Sequence, residues 1–185
     1  DFGDDQVHGS HVSVVIGALA QNQLGVQGVS ANVRILPVQV IGIQPSEPLK
    51  PLSVSMEPGE DHHVGQNRSL GDLVARGVIY ALRSGAQVIN FSLGWPQARD
   101  SEFMRGVIEE AQKRGVIIIA AAGNDSTRAL LRPCAYSGVI CVGAHGPDGA
   151  LAHFSNYGSG VDIAAPGINI LSTYQSGYDY LSGTS

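Results

Sequence analysis

Charged residues are few in this chain, and neither sign forms a run or a stripe. Lys and Arg number 11 against 16 Asp and Glu, which gives a net charge of −5 over 185 residues. A nucleic-acid-binding domain needs clustered basic side chains to neutralise phosphates, and the sequence has no such cluster. We therefore expect no nucleic-acid partner.

Long hydrophobic runs are also missing. The longest apolar stretch extends from Val116 to Gly123, less than half of the ~20 residues that a membrane helix needs. We therefore expect that the chain does not span a membrane. Hydrophobic residues nevertheless make up 43% of the chain, enough for one sizeable core, so we expect one domain or part of one.

Cysteine is scarce, since only Cys134 and Cys141 occur, and neither lies in a Cys-x-x-Cys zinc pattern. Two cysteines cannot build a disulfide framework. A single bridge would need Cα atoms within ~7 Å of each other, and we expect free buried thiols instead. The glycine-rich phosphate motifs G-x-G-x-x-G and G-x-x-x-x-G-K-[ST] are absent too, which excludes a common nucleotide-binding α/β domain.

Apolar periodicity predicts helices that alternate with continuous apolar strands. This alternation is typical of a parallel α/β sheet flanked by helices on both faces. One predicted helix begins just after His8, and two others cover 70–84 and 101–114. The predicted strands are 33–41, one from Gln87, one from Val116, 139–143, and two near Val161 and Asn169.

The stretch from Gly42 to Asn67 breaks this pattern. It has no clear periodicity and contains four prolines, so it is predicted to be a long loop or surface insertion. Glu60, Asp61, His62 and His63 fall together in it. These four side chains are potential metal ligands, but adjacent residues rarely converge on one ion, and we favour an ordinary loop.

Three predicted strand or chain ends carry polar or glycine residues: Ser92-Leu93-Gly94, Gly123-Asn124 and Gly183-Thr184-Ser185. Functional groups gather at the carboxyl edge of a parallel sheet. Ser185 follows a tight Ser-Gly-Thr turn suited to a nucleophile, and the Asn124 amide suits an oxyanion donor. His8, at a helix start, suits a general base. Each residue alone has an ordinary explanation in a turn or a cap.

Six blocks of sequence give these three residues a specific context. They are His8-Gly9-Ser10-His11-Val12, LGVQGVSANVRILPVQV from Leu24, VINFSLG from Val88, IIIAAAGN from Ile117, FSNYG with DIAAPG from Phe154, and the final SGTS. In the content and order of these blocks the chain resembles the subtilisin-like serine proteases, or subtilases. The resemblance covers nearly everything except the 42–67 insertion, so residues 1–185 are interpreted as a partial subtilase catalytic domain.

The resemblance implies an endopeptidase with His8 as general base, Ser185 as nucleophile and Asn124 as oxyanion donor. It also implies that a polypeptide substrate binds as an added strand. One wall of the groove would be Ser92, Leu93 and Gly94, the opposite wall Ala121, Ala122 and Gly123, and a second edge strand Arg68, Ser69 and Leu70. Asp125 would lie near the specificity pocket, where it either favours a basic side chain or is simply solvated.

The chain departs from the family pattern in one important respect. The family's triad Asp precedes the catalytic His by some thirty residues, whereas only seven residues precede His8. Asp1, Asp4 and Asp5 are interpreted as solvated loop acids. We therefore expect the 185-residue chain to be a central fragment that is inactive alone, and a noncatalytic subtilase-like binding module remains the alternative.

Further expectations rest on the resemblance alone. A calcium loop would use Asn22, Leu24 and Val26, whose oxygens suit this hard cation, while an ordinary polar turn is the alternative. His11 would have a structural role behind the base. The family also implies an inhibitory propeptide, a monomer, a secreted or extracytoplasmic location, and no catalytic cofactor.

Overall fold

The computed structural model describes residues 7–30, 32–41, 53–55, 61–63 and 70–185. Within the insertion it describes only two short antiparallel strands, β1 (Ser53–Ser55) and β2 (Asp61–His63). The predicted loop acids Asp1, Asp4 and Asp5, the edge residues Arg68 and Ser69, and the side chains of the Glu60–His63 cluster lie outside the described residues.

The remaining elements follow the predicted order, except that β8 and a 3-10 turn were not predicted. The helices are α1 (His8–Gly17), α2 (Leu70–Arg83) and α3 (Glu102–Lys113), with a 3-10 turn at Gln97–Arg99; the strands are β3 (Val88–Phe91), β4 (Ile117–Ala121), β5 (Ile140–His145), β6 (Ile163–Pro166), β7 (Ile170–Tyr174) and β8 (Gly177–Leu181). The helix and strand predictions from residue 70 onward are confirmed within a few residues at each boundary. Leu70 is an exception, because it begins α2 and not an edge strand.

Strands β3 to β6 form a parallel four-stranded sheet in sequence order. The pairing of β3 with β4 ends at Phe91 and Ala120, so the segments that follow the two strands no longer pair with each other. Strands β7 and β8 form an antiparallel hairpin. The carboxyl ends of the four parallel strands therefore share one edge of the sheet. This is the edge at which the sequence predicts the functional residues.

The helices α2 and α3 end in the same way, with a glycine shortly before the next strand. Gly85 and Gly115 have φ values of 77° and 76°, a left-handed conformation that costs glycine little. The residues that follow donate backbone hydrogen bonds back to the helix, from Ala86 to Ala81 and from Val116 to Ala111. Four residues thus separate α2 from β3, and three separate α3 from β4.

One face of the sheet is covered by α2 and α3. Val74 and Val78 of α2 and Val107 and Ile108 of α3 are at most 2% exposed, and they pack with Ile118 of β4 in a single core cluster. Burial of each such side chain contributes about 1.5 to 3 kcal/mol. Ser101 caps α3, because its hydroxyl accepts the Met104 N–H at 3.1 Å.

The opposite face of the sheet carries α1 across a cavity of about 310 Å³. Val12, Val15 and Ile16 of α1 line this cavity together with Ile119 and other apolar residues of the sheet. Helices thus lie on both faces of the parallel sheet. On the α1 side of the sheet, four apolar strand residues are 40–58% exposed: Val88, Ile117, Ile140 and Ile163.

The predicted buried strand at 33–41 is not observed. The segment belongs to no ladder among the described strands, and Val33, Leu36 and Ile41 are 41–49% exposed. The run instead lies beside two helical glycines, with Val33 and Ile35 near Gly17 and Val38 and Val40 near Gly77. A continuous apolar run predicts a strand only if a partner strand supplies hydrogen bonds on at least one side, and the described residues supply none here.

The prediction of free thiols is wrong, since Cys134 and Cys141 form a disulfide with a Cα–Cα distance of 4.9 Å. Cys141 lies on β5 opposite Ala120 of β4, and both cysteines are buried. The turn between them brings the chain back over the sheet, which spacing alone does not reveal. The bridge therefore fastens the loop before β5 onto the core.

The buried carboxylate of Asp100 forms hydrogen bonds and ion pairs with the same loop. Asp100 is 7% exposed in its side chain and accepts hydrogen bonds from the Tyr136 hydroxyl and from the Ser101 N–H at 2.9 Å. Arg132 and Arg105 contact its other oxygen at 3.3 and 3.4 Å. The Arg132 guanidinium also lies 4.9 Å from the centre of the Tyr136 ring, within the range of a cation–π contact.

This environment sets the ionisation of both groups. Burial alone would raise the pKa of Asp100, but the hydrogen bonds it accepts, from Tyr136 first, and the Arg132 charge hold that pKa below its ordinary value. Burial and the hydrogen bond to Asp100 raise the pKa of Tyr136 well above its ordinary value. Asp100 is therefore charged, and Tyr136 neutral, at neutral pH.

None of the helices in the described ranges is long and apolar enough to cross a bilayer.

We expect Asp100→Asn to lower the free energy of unfolding at pH 7 by about 2 kcal/mol, because hydrogen bonds to a charged group are lost. The folded-state pKa lies below the unfolded value of ~3.9, so the carboxylate stabilises the fold above pH ~4 and this contribution disappears as the pH falls through the folded-state pKa. The difference between variant and wild type in urea unfolding should thus be larger at pH 7 than at pH ~3.

Glu109→Gln is the matched control, since Glu109 is exposed on α3. An equal loss of stability in both variants at pH 7, or a loss in Asp100→Asn that does not change between the two pH values, would contradict this account.

Candidate active site

The structure brings His8, Asn124 and Ser185 to one edge of the sheet. His8 is the first residue of α1, and both His8 and Ser185 border the cavity between α1 and the sheet. Asn124 follows β4 and is joined to Ser185 through the intervening Thr184. All three side chains are exposed, as residues that meet a substrate must be.

The segment that carries Ser185 is fixed on both sides. Gly183 donates a backbone hydrogen bond to the Gly167 carbonyl at 2.9 Å, just beyond β6. At Ser185 itself, the Ser92 hydroxyl donates to the backbone carbonyl oxygen at 3.0 Å. The turn is therefore held between the ends of β3 and β6.

Thr184 connects the segment that carries Ser185 to the end of β4. Its N–H and its hydroxyl both donate to Asn124 Oδ1, at 2.9 and 3.0 Å, and its hydroxyl accepts the Gly123 N–H at 3.1 Å. Because the Asn124 oxygen receives two donors, its orientation is defined. The Nδ2 group is then the donor that the side chain offers to another molecule.

Asn156 supports Asn124 from behind. It is 0% exposed, and its Nδ2 donates to the Ala122 carbonyl at 2.9 Å. Its Oδ1 accepts the N–H groups of Asp125 and Thr127 at 2.9 and 3.2 Å. One buried amide thus satisfies the backbone on both sides of Asn124 and holds it in place.

His8 is positioned through the rest of its helix. His11, one turn later, is buried, and its Nε2 lies 3.1 Å from the Ile170 carbonyl oxygen on β7. The Ser172 hydroxyl donates to the His11 carbonyl at 2.8 Å. His11 therefore anchors α1 to β7, in agreement with the structural role predicted for it. Among the described residues, no carboxylate makes a hydrogen bond to His8.

The two predicted substrate walls lie where β3 and β4 separate. Ser92, Leu93 and Gly94 follow β3, and Ala121, Ala122 and Gly123 end and follow β4. Gly94 and Gly123 both lie close to the side chain of Leu131. Asn90 Nδ2 donates to the Ser92 hydroxyl at 2.9 Å, which orients that hydroxyl toward Ser185.

The predicted calcium loop is an exposed turn in which Asn22 Oδ1 accepts the Leu24 N–H at 3.0 Å. Asn22, Leu24 and Val26 would give a cation one amide oxygen and two backbone carbonyls. Calcium takes six to eight oxygens and gains affinity from carboxylates. These three residues therefore fit such an ion only in part, and no group of three or more acidic, His or Cys ligands occurs among the described residues.

No role was predicted for three residues that contribute to the site. Thr184 lies between Gly183 and Ser185 in SGTS, Asn156 is the polar centre of FSNYG, and Leu131 occurs in an unremarkable Leu-Leu-Arg stretch. The first two lie inside the blocks that carry the resemblance, so their position was a usable signal. The contacts of Leu131 depend on tertiary structure that no local pattern encodes.

Comparison with known proteins agrees with the sequence blocks. The model of the subtilase family matches residues 1–185. The chain is 36% identical over 183 residues to Subtilisin Savinase of Lederbergia lenta, covering 98% of this chain and 59% of that protein. It is also 36% identical over 179 residues to a thermophilic serine proteinase of Bacillus sp. (strain AK1), covering 96% of this chain and 39% of that protein.

Solved structures agree as well. The self-cleaved protease domain of PatA superposes with a TM-score of 0.76 at 28% identity, covering 96% of this chain and 61% of that one. The patellamide maturation protease PatA gives a TM-score of 0.75 at the same identity, covering 96% of this chain and 59% of that one. The chain thus spans less than two thirds of these relatives. With its parallel α/β sheet, its six blocks and a family match over its full length, the chain belongs to the subtilase family.

Proposed function

We propose that this chain is part of a serine endopeptidase that hydrolyses peptide bonds through an acyl-enzyme at Ser185. The observation that supports this most directly is the link from Ser185 through Thr184 to Asn124, on a cavity that His8 also borders. A nucleophile, a proton acceptor and an amide donor at one sheet edge are the parts that acyl transfer needs.

The chemistry assigns one role to each residue. Ser185 Oγ attacks the substrate carbonyl carbon while His8 accepts the hydroxyl proton, and the carbonyl oxygen becomes an oxyanion. Asn124 Nδ2 donates a hydrogen bond to that oxygen. His8 then returns the proton to the leaving amine as the C–N bond breaks. Water, deprotonated by His8, then attacks the acyl carbon, and His8 returns the proton to Ser185 Oγ as the C–Oγ bond breaks and the acid product leaves.

The carboxylate that orients the imidazole is proposed to come from outside the 185 residues, so that this chain alone is inactive. This is supported by the observation that no carboxylate among the described residues makes a hydrogen bond to His8. In a His-dependent triad the carboxylate holds the ring in the productive tautomer, and its loss lowers turnover by about 10⁴-fold.

A polypeptide substrate would add as an extended strand between the walls 92–94 and 121–123. We also propose a secreted or extracytoplasmic location, a monomer, and inhibition by a propeptide. The location is supported by relatives such as the cell wall-associated protease of Bacillus subtilis, which is 37% identical over 183 residues and of which the chain covers 18%.

A structural calcium ion at Asn22, Leu24 and Val26 is retained as a proposal, with the missing ligands supplied from elsewhere. Calcium should raise the melting temperature of the full-length protein, and Asn22→Ala should reduce that increase. An equal increase in the variant would contradict the site.

In the full-length protein, Ser185→Ala and His8→Ala should each reduce peptide hydrolysis to background, because each removes an atom that forms or transfers a bond. Hydrolysis of a fluorogenic peptide measures this, and circular dichroism checks that both variants fold. Substantial turnover in either folded variant would contradict the assignment. If the wild-type protein also shows no hydrolysis of any peptide, the noncatalytic binding module is favoured.

Thr184→Val removes the hydroxyl that bonds Gly123 and Asn124 but keeps the side-chain shape. We expect kcat to fall about tenfold, from the loss of about 1 to 1.5 kcal/mol of hydrogen bonding, while KM changes little. Asn124→Ala should lower kcat by about 100-fold to 1000-fold.

A double-mutant cycle separates the roles of the two residues. If Thr184 acts by orienting Asn124, Thr184→Val should cost much less when Asn124 is already Ala. Thr184→Ser keeps the hydroxyl and should retain nearly wild-type kcat. An undiminished cost in the double variant would mean that Thr184 does not act through Asn124.

A further inference from the structure

The residue that follows β6 carries the chain segment that leads to Ser185. Gly167 is buried, and its N–H donates to the His145 carbonyl at 3.0 Å, which continues the parallel pairing of β5 with β6. Its own carbonyl accepts the Gly183 N–H at 2.9 Å. The backbone two residues before Ser185 is therefore attached directly to the edge of the sheet.

A second hydrogen bond joins the same two segments. The Asn169 N–H donates to the Ser182 hydroxyl at 2.9 Å. Asn169 has a φ of 54°, in the left-handed region that Asn adopts more readily than most residues. The turn from Gly167 to Asn169 thus offers one acceptor and one donor to residues 182 and 183, and both are used.

Gly167 leaves no room for a side chain. A Cβ atom built on it would lie 2.5 Å from the Gly183 carbonyl oxygen and 2.6 Å from Ala144 Cβ on β5. Contacts of a Cβ atom below 3.0 Å essentially do not occur in proteins, so a side chain here would push Gly183 away by at least about 0.5 Å. The segment before Ser185 can lie this close to the sheet only because residue 167 is glycine.

We propose that Gly167 is a positioning residue for the nucleophile. By bringing the 182–183 backbone against the end of β6, it sets the place of Ser185 Oγ relative to His8 and Asn124. The inference rests on the proposed function, and Gly167 acts through Gly183 and is not itself a catalytic residue. A misplacement of about 1 Å is enough to lower turnover about 100-fold, so a shift of Gly183 that reaches Ser185, two residues later, affects catalysis.

In the full-length protein, Gly167→Ala should lower kcat, and the second-order rate constant for reaction with a fluorophosphonate, by about tenfold to 100-fold. KM, and the inhibition constant of the cleaved product peptide, should change less than about threefold, because the walls 92–94 and 121–123 are untouched. Gly177→Ala is the matched control and should retain wild-type rates. Gly177 lies on the hairpin between the two segments, and a Cβ built on it meets no atom within 4 Å.

A further variant separates positioning from packing. Ala144→Gly removes the atom that lies 2.6 Å away but leaves the contact with the Gly183 oxygen. In a double-mutant cycle, Gly167→Ala should cost less melting temperature when Ala144 is already Gly, while its cost in kcat stays the same. Ser182→Ala adds no atom and should lower kcat about threefold, because the second hydrogen bond between the segments is lost.

The outcomes separate this proposal from the proposed function. Wild-type rates in a folded Gly167→Ala protein, or a kcat that recovers together with stability in the double variant, would overturn the role of Gly167 while the endopeptidase assignment stands. If neither glycine variant folds, Ser182→Ala decides, and an unchanged kcat would overturn the proposal. A wild-type protein that cleaves no peptide and reacts with no fluorophosphonate would overturn both inferences.

Discussion

The hydrogen bonds between Thr184 and the end of β4 are the constraint on which the site depends. Two chain segments about 60 residues apart meet there, and each supplies hydrogen-bond partners to the polar groups of the other. The Gly123 N–H finds an acceptor in the Thr184 hydroxyl, and the Asn124 oxygen is occupied by two Thr184 donors. This meeting is possible because β4 ends at the carboxyl edge of the parallel sheet, and the segment after β8 is bonded to the same edge through Gly183 and Gly167, just beyond β6.

Behind this junction, a buried polar and covalent framework holds the loops of the groove. Asn156 satisfies the backbone around Asn124, and Asp100 contacts Tyr136 and Arg132 of the 131–136 loop together with Arg105 of α3. The Cys134–Cys141 disulfide fastens that loop to β5. The framework lies away from the reacting atoms, yet it determines where Asn124 and Leu131 stand. Loops built in this way hold a site on a rigid sheet.

Most of the fold from residue 70 onward was accessible from the sequence, because its helices and strands carry strong local signals. The apolar face of α3 repeats every three to four residues, and Gly115 marks its end. The run from Val116 is continuous, as expected for a strand buried in a parallel sheet. His8, Asn124 and Ser185 were predicted as site residues because they lie inside characteristic blocks, and in the structure they lie near one edge of the sheet.

The predictions that failed concern contacts between distant segments. The 33–41 run has strand composition, but strand formation also needs a partner for its hydrogen bonds. The sequence does not tell whether Cys134 and Cys141 approach each other, since that depends on how the turn between them folds. Leu70 was aligned with an edge strand by resemblance, while its helical periodicity with Val74 governs its structure. Leu131 lies against two glycines, Gly94 and Gly123, that are 37 and 8 residues before it, and no local pattern predicts these contacts.

An activated nucleophile at Ser185 would react covalently with a fluorophosphonate. The full-length protein is treated with this reagent, digested and analysed by mass spectrometry, beside Ser185→Ala and beside the 185-residue chain. We expect one phosphonylated residue, Ser185, in the full-length protein, and no labelling of the variant or of the 185-residue chain. A folded, propeptide-free full-length protein that remains unlabelled, or that is labelled at another residue, would contradict this expectation.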